Sequence, residues 1–95
     1  MMNKEAMEQF RLIFRTMSNP TRLTIVSFLK KHDGCCFGDI RQEFNANNNT
    51  ISFHLKKLVD AGLVKKNGLY YITDFGKEVA IVYEDFERVI AEFDK

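Results

Sequence analysis

Apolar positions recur in two rhythms along this chain, and the points where the rhythm changes mark out its elements. Between Met1 and Met17, residues Phe10, Ile13, Phe14 and Met17 fall at three- and four-residue spacings, which is one face of a helix. Ser18-Asn19-Pro20 interrupts it. Asn19 suits an N-cap, and Pro20 suits the first helical position, where its missing N–H leaves nothing unpaired. A second helix is predicted from Pro20 to about Lys31, burying Leu23, Val26 and Leu29 with Ile25 beside them, and His32-Asp33-Gly34 ends it. Cys35-Cys36-Phe37 reads as a brief extended segment, a minor strand. A third helix is predicted from Asp39 to Phe44, with Ile40 and Phe44 inward, and Asn45-Ala46 leads tightly into the next.

The stretch Asn47 to Leu63 organises the rest. Four small polar residues, Asn47 to Thr50, are of the kind that cap a helix by accepting from its free N–H groups. Ile51, Leu55 and Leu58 form one apolar face, while Asn49, Ser52, Phe53, Lys56 and, toward the edge, Lys57 lie opposite. Gly62 closes the helix from the left-handed region. A short helix anchored on one side and bearing amides, hydroxyls and lysines on the other suits a DNA major groove, so it is read as the recognition helix of a helix-turn-helix over residues 39–62.

After Gly62 the period drops to two. Leu63–Lys66 and Leu69–Thr73 flank Asn67-Gly68, which signals a hairpin with a type I′ turn, and a hairpin here is a wing over residues 63–73. Lys65 and Lys66 beside its turn are placed to meet a phosphate or the minor groove. Thr73 as N-cap and Asp74 in the first turn then open a last helix. Along it Phe75, Val79, Val82, Phe86, Val89 and Phe93 recur at steps of four and three, widened by Ile81, Tyr83 and Ile90. A helix of about 20 residues is roughly 30 Å long, more than a small domain usually covers with its own core. The heptad-like seam therefore points to a dimer interface of Phe10, Phe14, Val79, Val82, Phe86, Val89 and Phe93; the plainer alternative is packing on the first helix alone. The fold class expected is mainly α (α+β): a single winged-helix domain over 1–95, with a two-stranded wing and long dimerisation helices at 1–17 and 74–95.

Composition changes this picture little. At 95 residues with 45% hydrophobic content the chain is expected to be globular, with a thin core that association would help. No apolar run approaches the roughly 20 residues of a membrane span and no signal peptide is expected, which places the protein in the cytoplasm with no membrane partner. Charge matters more. The net +1 conceals +4 over Thr21–Thr73 and −4 over Asp74–Lys95, an asymmetry that gives a phosphate-binding face a direction. Cys35 and Cys36 are adjacent and cannot staple the fold, which fits a reducing compartment. No nucleophile–base pair, metal triad or Gly-rich phosphate loop occurs, so no enzyme and no cofactor is expected.

With these residues in hand, the chain resembles the ArsR/SmtB family of winged-helix transcriptional regulators. The resemblance rests on Asn19-Pro20-Thr21-Arg22-Leu23 with Ile25-Val26 and Leu29, on Gly38-Asp39-Ile40, on Thr50-Ile51-Ser52-Phe53-His54-Leu55 with Leu58, on Ala61-Gly62-Leu63-Val64, and on Tyr71-Ile72-Thr73. It implies a homodimeric repressor held by its terminal helices, with two recognition helices in successive major grooves of a palindromic operator. It carries DNA contact onto Asn48, Asn49, Thr50, Ser52 and Phe53, with His54 and Lys56 beyond them. Phe53 stands where relatives often have a polar residue; it either meets a thymine methyl or folds back onto the wing. His54 is read either as a base contact or as half buried behind the helix. The family's Cys-x-Cys metal motif is incomplete, since aligning its Asp with Asp39 puts Gly38 at the second cysteine. Cys35, Cys36 and His32 remain weak candidates, and two cysteines beside a core are more often packing residues. The family's other site, on the last helix, lacks its histidine, because no His follows His54.

The function expected is thus sequence-specific binding of double-stranded DNA by a homodimer. Amides and hydroxyls read base edges, while Lys56, Lys57, Lys65 and Lys66, with Arg22 and Arg41 as further candidates, neutralise phosphates. Two alternatives stand beside it: a winged helix used for protein–protein contact, which the exposed position of Phe53 suits, and a thiol- or metal-responsive sensor built on Cys35 and Cys36.

Overall fold

The computed structural model describes residues 1–94. In chain order its elements are α1 (Lys4–Met17), α2 (Pro20–Lys31), α3 (Phe37–Glu43), α4 (Asn48–Asp60), β1 (Val64–Asn67), β2 (Leu69–Ile72) and α5 (Asp74–Phe93). Mainly helical, with one two-stranded antiparallel sheet, they form a winged helix-turn-helix.

Local chemistry sets most boundaries. Asn3, Asn19, Asn47 and Thr73 each accept a hydrogen bond from the third residue beyond, capping α1, α2, α4 and α5. The Asn3 cap starts α1 at Lys4, not at the expected Met1. Gly62, at φ +78°, ends α4 in a Schellman arrangement, with Gly62 N–H on the Val59 carbonyl and Leu63 N–H on that of Leu58. Lys95, placed by the sequence reading in the last helix, lies outside the described residues, and α5 runs to Phe93 with Asp94 as its C-cap.

Several expectations change. The extended segment is only one residue deep: Cys35 pairs with Tyr70 as an isolated antiparallel bridge, and Cys36 is already the N-cap of α3. Helix α3 therefore starts two residues before Asp39, which puts that carboxylate in the first turn, favourable for the helix dipole. The first strand of the wing runs one residue later than expected and the second ends one residue earlier, with Val64 opposite Ile72, Lys65 opposite Tyr71 and Lys66 opposite Tyr70. Its turn is not type I′, because among the described residues only glycines have positive φ; Gly68 (φ +75°) turns the chain without Asn67. In α2, Ile25 is fully buried beside Val26 and Leu29, while Leu23 is only partly covered.

The core joins Met17 of α1, Ile25, Val26 and Leu29 of α2, Ile40 of α3, Ile51, Leu55 and Leu58 of α4, then Leu63, Val64, Ile72 and Ala80. Helix α5 crosses it on small residues. Its contribution to the buried set is Gly76 and Ala80. A Cβ on Gly76 would fall 2.2 Å from the Leu63 carbonyl oxygen, so only glycine lets α5 sit this close to the start of the wing. Thr73 fixes that corner, its hydroxyl reaching the Gly62 and Leu63 carbonyls at 2.7 and 3.1 Å. Lys30 pairs with Glu84 at 2.9 Å between α2 and α5 on the outside.

Candidate nucleic-acid interface

Helix α4 is held from behind. Ile51 and Leu58 are completely buried and Leu55 is 1% exposed, so the helix is fixed by one face. The connection from α3 is the four residues Phe44–Asn47, of which Phe44 and Ala46 pack against the core. On the free side Asn48, Asn49, Thr50, Ser52, Phe53, Lys56 and Lys57 are all exposed, together at the N-terminal half of the helix and along its outer face. The N-terminal amides carry partial positive charge, which favours phosphate approach at the same place as the polar side chains.

His54 departs from this set. Expected among the DNA contacts, it is 9% exposed and lies on the inner side of α4, with Nδ1 3.1 Å from an Arg22 guanidinium nitrogen. The reason is helical phase: His54 sits next to Leu55 and one turn after Ile51, so it shares the buried face. Burial and, after it, the Arg22 charge push its pKa below the ordinary 6.5. Arg22 is drawn inward by the same contact and by the Thr16 carbonyl, so it is occupied rather than free for a phosphate.

Phe53 stays outward at 54% exposure, its ring edge-on to His54 and covered by the Lys57 ammonium at 5.4 Å. It does not fold onto the wing. Lys56 pairs with Asp60 one turn on at 3.0 Å, an exposed contact worth little and easily exchanged for a phosphate. On the wing, Lys65 lies over Tyr71 and Lys66 over Tyr70, at 5.8 and 5.4 Å. These are exposed cation–π contacts between directly paired strand residues, which steady the lysine stems without removing their charge.

The cysteines part company. Cys35 is buried, its thiol donating to the His32 carbonyl at 3.0 Å, and burial, with the nearby carboxylates and Cys36 adding to it, raises its pKa above the ordinary 9.0. Cys36 is exposed at the start of α3, and the His32 ring packs on Phe28. Among the described residues no three His, Cys, Asp or Glu side chains come together as metal ligands.

A second surface has opposite chemistry. Phe10 and Phe14 of α1 are half exposed and stack on each other at 5.9 Å, facing Phe75, Val79, Val82 and Phe86 of α5 across an apolar groove of about 430 Å³. Val82 (64% exposed), Val89 and Phe93 continue the stripe. Val79, expected at a dimer interface, is half buried within its own chain. Gly76 and Ala80, the α5 residues turned to the core, lie about a third of a turn from this stripe, so the broad apolar face is not the one that covers the core.

Residues 19–66, from the α2 cap through β1, match the family model described as bacterial regulatory protein, arsR family. An uncharacterized HTH-type transcriptional regulator of Methanocaldococcus jannaschii is 39% identical over 74% of this chain and 84% of that protein. Among solved structures, the homodimeric winged helix-turn-helix DNA-binding domain of a possible ArsR-family regulator from Mycobacterium bovis superposes with a TM-score of 0.77 at 24% identity, over 100% of this chain and 92% of that one. The transcriptional repressor BigR from Xylella fastidiosa gives 0.70 at 24% identity, over 93% and 96%. At such identities the two structures speak for the fold.

Proposed function

The chain belongs to the arsR family of bacterial regulatory proteins, transcriptional regulators and not enzymes, and from that premise we propose that it binds a palindromic operator as a homodimer and represses transcription. The observation that carries this reading is the division of α4, with Ile51, Leu55 and Leu58 fixed in the core while Asn49, Ser52 and their neighbours stand free. Such a helix enters a major groove with its amides and hydroxyls at base edges, each good contact discriminating by about 1–3 kcal/mol. Asn48, Asn49, Thr50 and Ser52 read bases, and Phe53 supplies an apolar contact suited to a thymine methyl. Lys56, Lys57, Lys65 and Lys66 take phosphates and make binding fall steeply with salt.

A second copy is the occupant that suits the groove between α1 and α5. The groove is apolar and continuous with Val89 and Phe93, and a domain this small gains from burying it. The homodimeric state described for the Mycobacterium bovis domain supports the same arrangement. A dimer seated on a promoter excludes polymerase, and the Xylella fastidiosa neighbour is described as a repressor. No helix among the described residues is long and apolar enough to cross a membrane, and we place the regulator with its DNA in the cytoplasm.

Selection of bound duplexes from a random pool tests the reading. The wild type is expected to enrich inverted repeats with half-site centres about 34–36 Å, or a multiple, apart. The double substitution Asn49→Ala with Ser52→Ala is expected to enrich none while remaining a folded dimer. Unchanged enrichment by that variant would remove these residues from base reading. Salt-insensitive or absent binding would favour the protein–protein alternative that the exposed Phe53 keeps open.

A further inference from the structure

Arg22 joins three helices at a point that no DNA contact requires. Its Nε donates to the Thr16 carbonyl at 2.7 Å, near the C-terminal end of α1, and one of its terminal nitrogens lies 3.1 Å from Nδ1 of His54 on α4. Its own backbone N–H is held by the Asn19 cap at the start of α2. The Thr16 carbonyl belongs to the last turn of α1, where carbonyls lack helical partners and a cation is favoured. The His54 contact has a stricter requirement. A guanidinium only donates, so the hydrogen bond exists only while Nδ1 is a bare acceptor, with the single ring proton on Nε2. A second proton would turn an N–H and a positive charge toward the guanidinium.

We propose that Arg22 is a positioning residue for DNA recognition: through the neutral His54 ring it fixes α4 against α1, keeping the recognition helix in register with the helix that pairs the two copies. This rests on the reading of the protein as a DNA-binding homodimer. In such a dimer half-site spacing follows from where each α4 stands relative to the pairing helices, so slack between them costs operator preference before it costs non-specific attraction.

The surroundings of His54 make the contact sensitive to acid. From α2 the charged group facing the ring is Arg22. From α1 the tie is the uncharged Thr16 carbonyl, reached through Arg22. The wing packed on the other side of α4 carries Lys65 and Lys66, whose ammonium groups lie over Tyr71 and Tyr70 instead. On α4 itself the neighbours are the Phe53 ring and, beyond it, Lys57. No carboxylate among the described residues shifts the ring, so nothing offsets the cost of protonating it. The sign follows: with its pKa held below 6.5 in the folded protein, the neutral ring contributes fully above that value, and its contribution is lost as pH falls through the lowered pKa.

The test uses the full chain and two variants. His54→Asn keeps an oxygen acceptor near the Nδ1 position but does not titrate. Arg22→Lys keeps the charge but cannot bridge two acceptors as a planar fork does. Binding to the selected operator and to random duplex is followed by fluorescence anisotropy at about pH 7.5 and about pH 5.5. Imidazole nitrogen shifts report the tautomer without DNA, with circular dichroism as the folding check. Wild-type preference for the operator is expected to fall at the lower pH, as the ring gains its second proton, while His54→Asn is nearly flat. Arg22→Lys is expected to lose that preference at both pH values with random-duplex binding unchanged. Equal pH profiles for wild type and His54→Asn, retained preference in Arg22→Lys, or a ring proton on Nδ1 at neutral pH would each overturn the proposal. If the tautomer is as expected but the wild type binds no duplex, the regulator reading fails and the positioning role falls with it. The two failures are thereby told apart.

Discussion

Helices α4 and α5 carry the same kind of sequence pattern and use it in opposite ways. In α4 the apolar residues Ile51, Leu55 and Leu58 face the core and are essentially unexposed, so the polar face is left for a partner. In α5 the apolar series Val82, Phe86, Val89 and Phe93 faces away from the core and is 40–85% exposed, while the residues it buries fully are Gly76 and Ala80, with Val79 and Tyr83 half buried beside them. Periodicity shows that a helix has an apolar face; it does not say whose interior that face belongs to. Where small residues flank a large apolar stripe, the small side suits close approach within the chain, and the large side is free to pair with another.

The strongest way to break this contrast is to attack each stripe in turn. Leu55→Ala in α4 is expected to cost about 2–5 kcal/mol by urea unfolding, because it empties a filled core position. A loss well under 1 kcal/mol would mean that α4 is not anchored as described. Gly76→Ala tests the close face of α5. With the Leu63 carbonyl in the way, it is expected to destabilise by about 1–3 kcal/mol in the same assay, against the roughly 1 kcal/mol gain that Ala otherwise brings to a helix. A stabilised variant would show that α5 can move off the wing at no cost.

Val82→Glu with Phe86→Glu then tests the outer face of α5. Within one chain these are surface changes, expected to alter protomer stability by about 0.5 kcal/mol or less. Sedimentation is nevertheless expected to show folded monomers for the variant and a dimer for the wild type. Unfolding instead of dissociation would mean that the stripe belongs to the protomer's own core. The smallest effect is expected on the wing: Lys65→Ala with Lys66→Ala should leave stability unchanged and lower the salt slope of DNA binding by about 1–2. An unaltered slope would place the wing away from the phosphates.

Much of the fold was legible because local chemistry dictates it. The Asn19-Pro20 start of α2, the Gly62 end of α4, the Thr73 cap and the register of Ile51, Leu55 and Leu58 all depend on residues within a turn or two of one another. The misjudged points were of another kind. His54, read either as a base contact or as half buried, takes the buried position its helical phase allows, and the Arg22 it meets there lies 32 residues away. The bridge from Cys35 to Tyr70 shortened the minor strand to a single pair and brought α3 forward, and both partners of that bridge looked ordinary in sequence. Nothing in the local sequence marks Gly76, because the Leu63 carbonyl that leaves no room for a Cβ there is brought up by the fold.

By itself, then, the sequence determined which segments are helices, where the capped and glycine-closed ends of α2, α4 and α5 fall, and that a polar-faced helix precedes a hairpin, because caps, glycines and apolar spacing act over distances shorter than a helix turn or hairpin. Only the tertiary structure decided that α5 turns Gly76 and Ala80 to the core, that Arg22 and His54 meet, and how far the apolar stripe of α5 is left uncovered. Those outcomes depend on where segments far apart in the chain come to rest against one another, and no local preference encodes that distance.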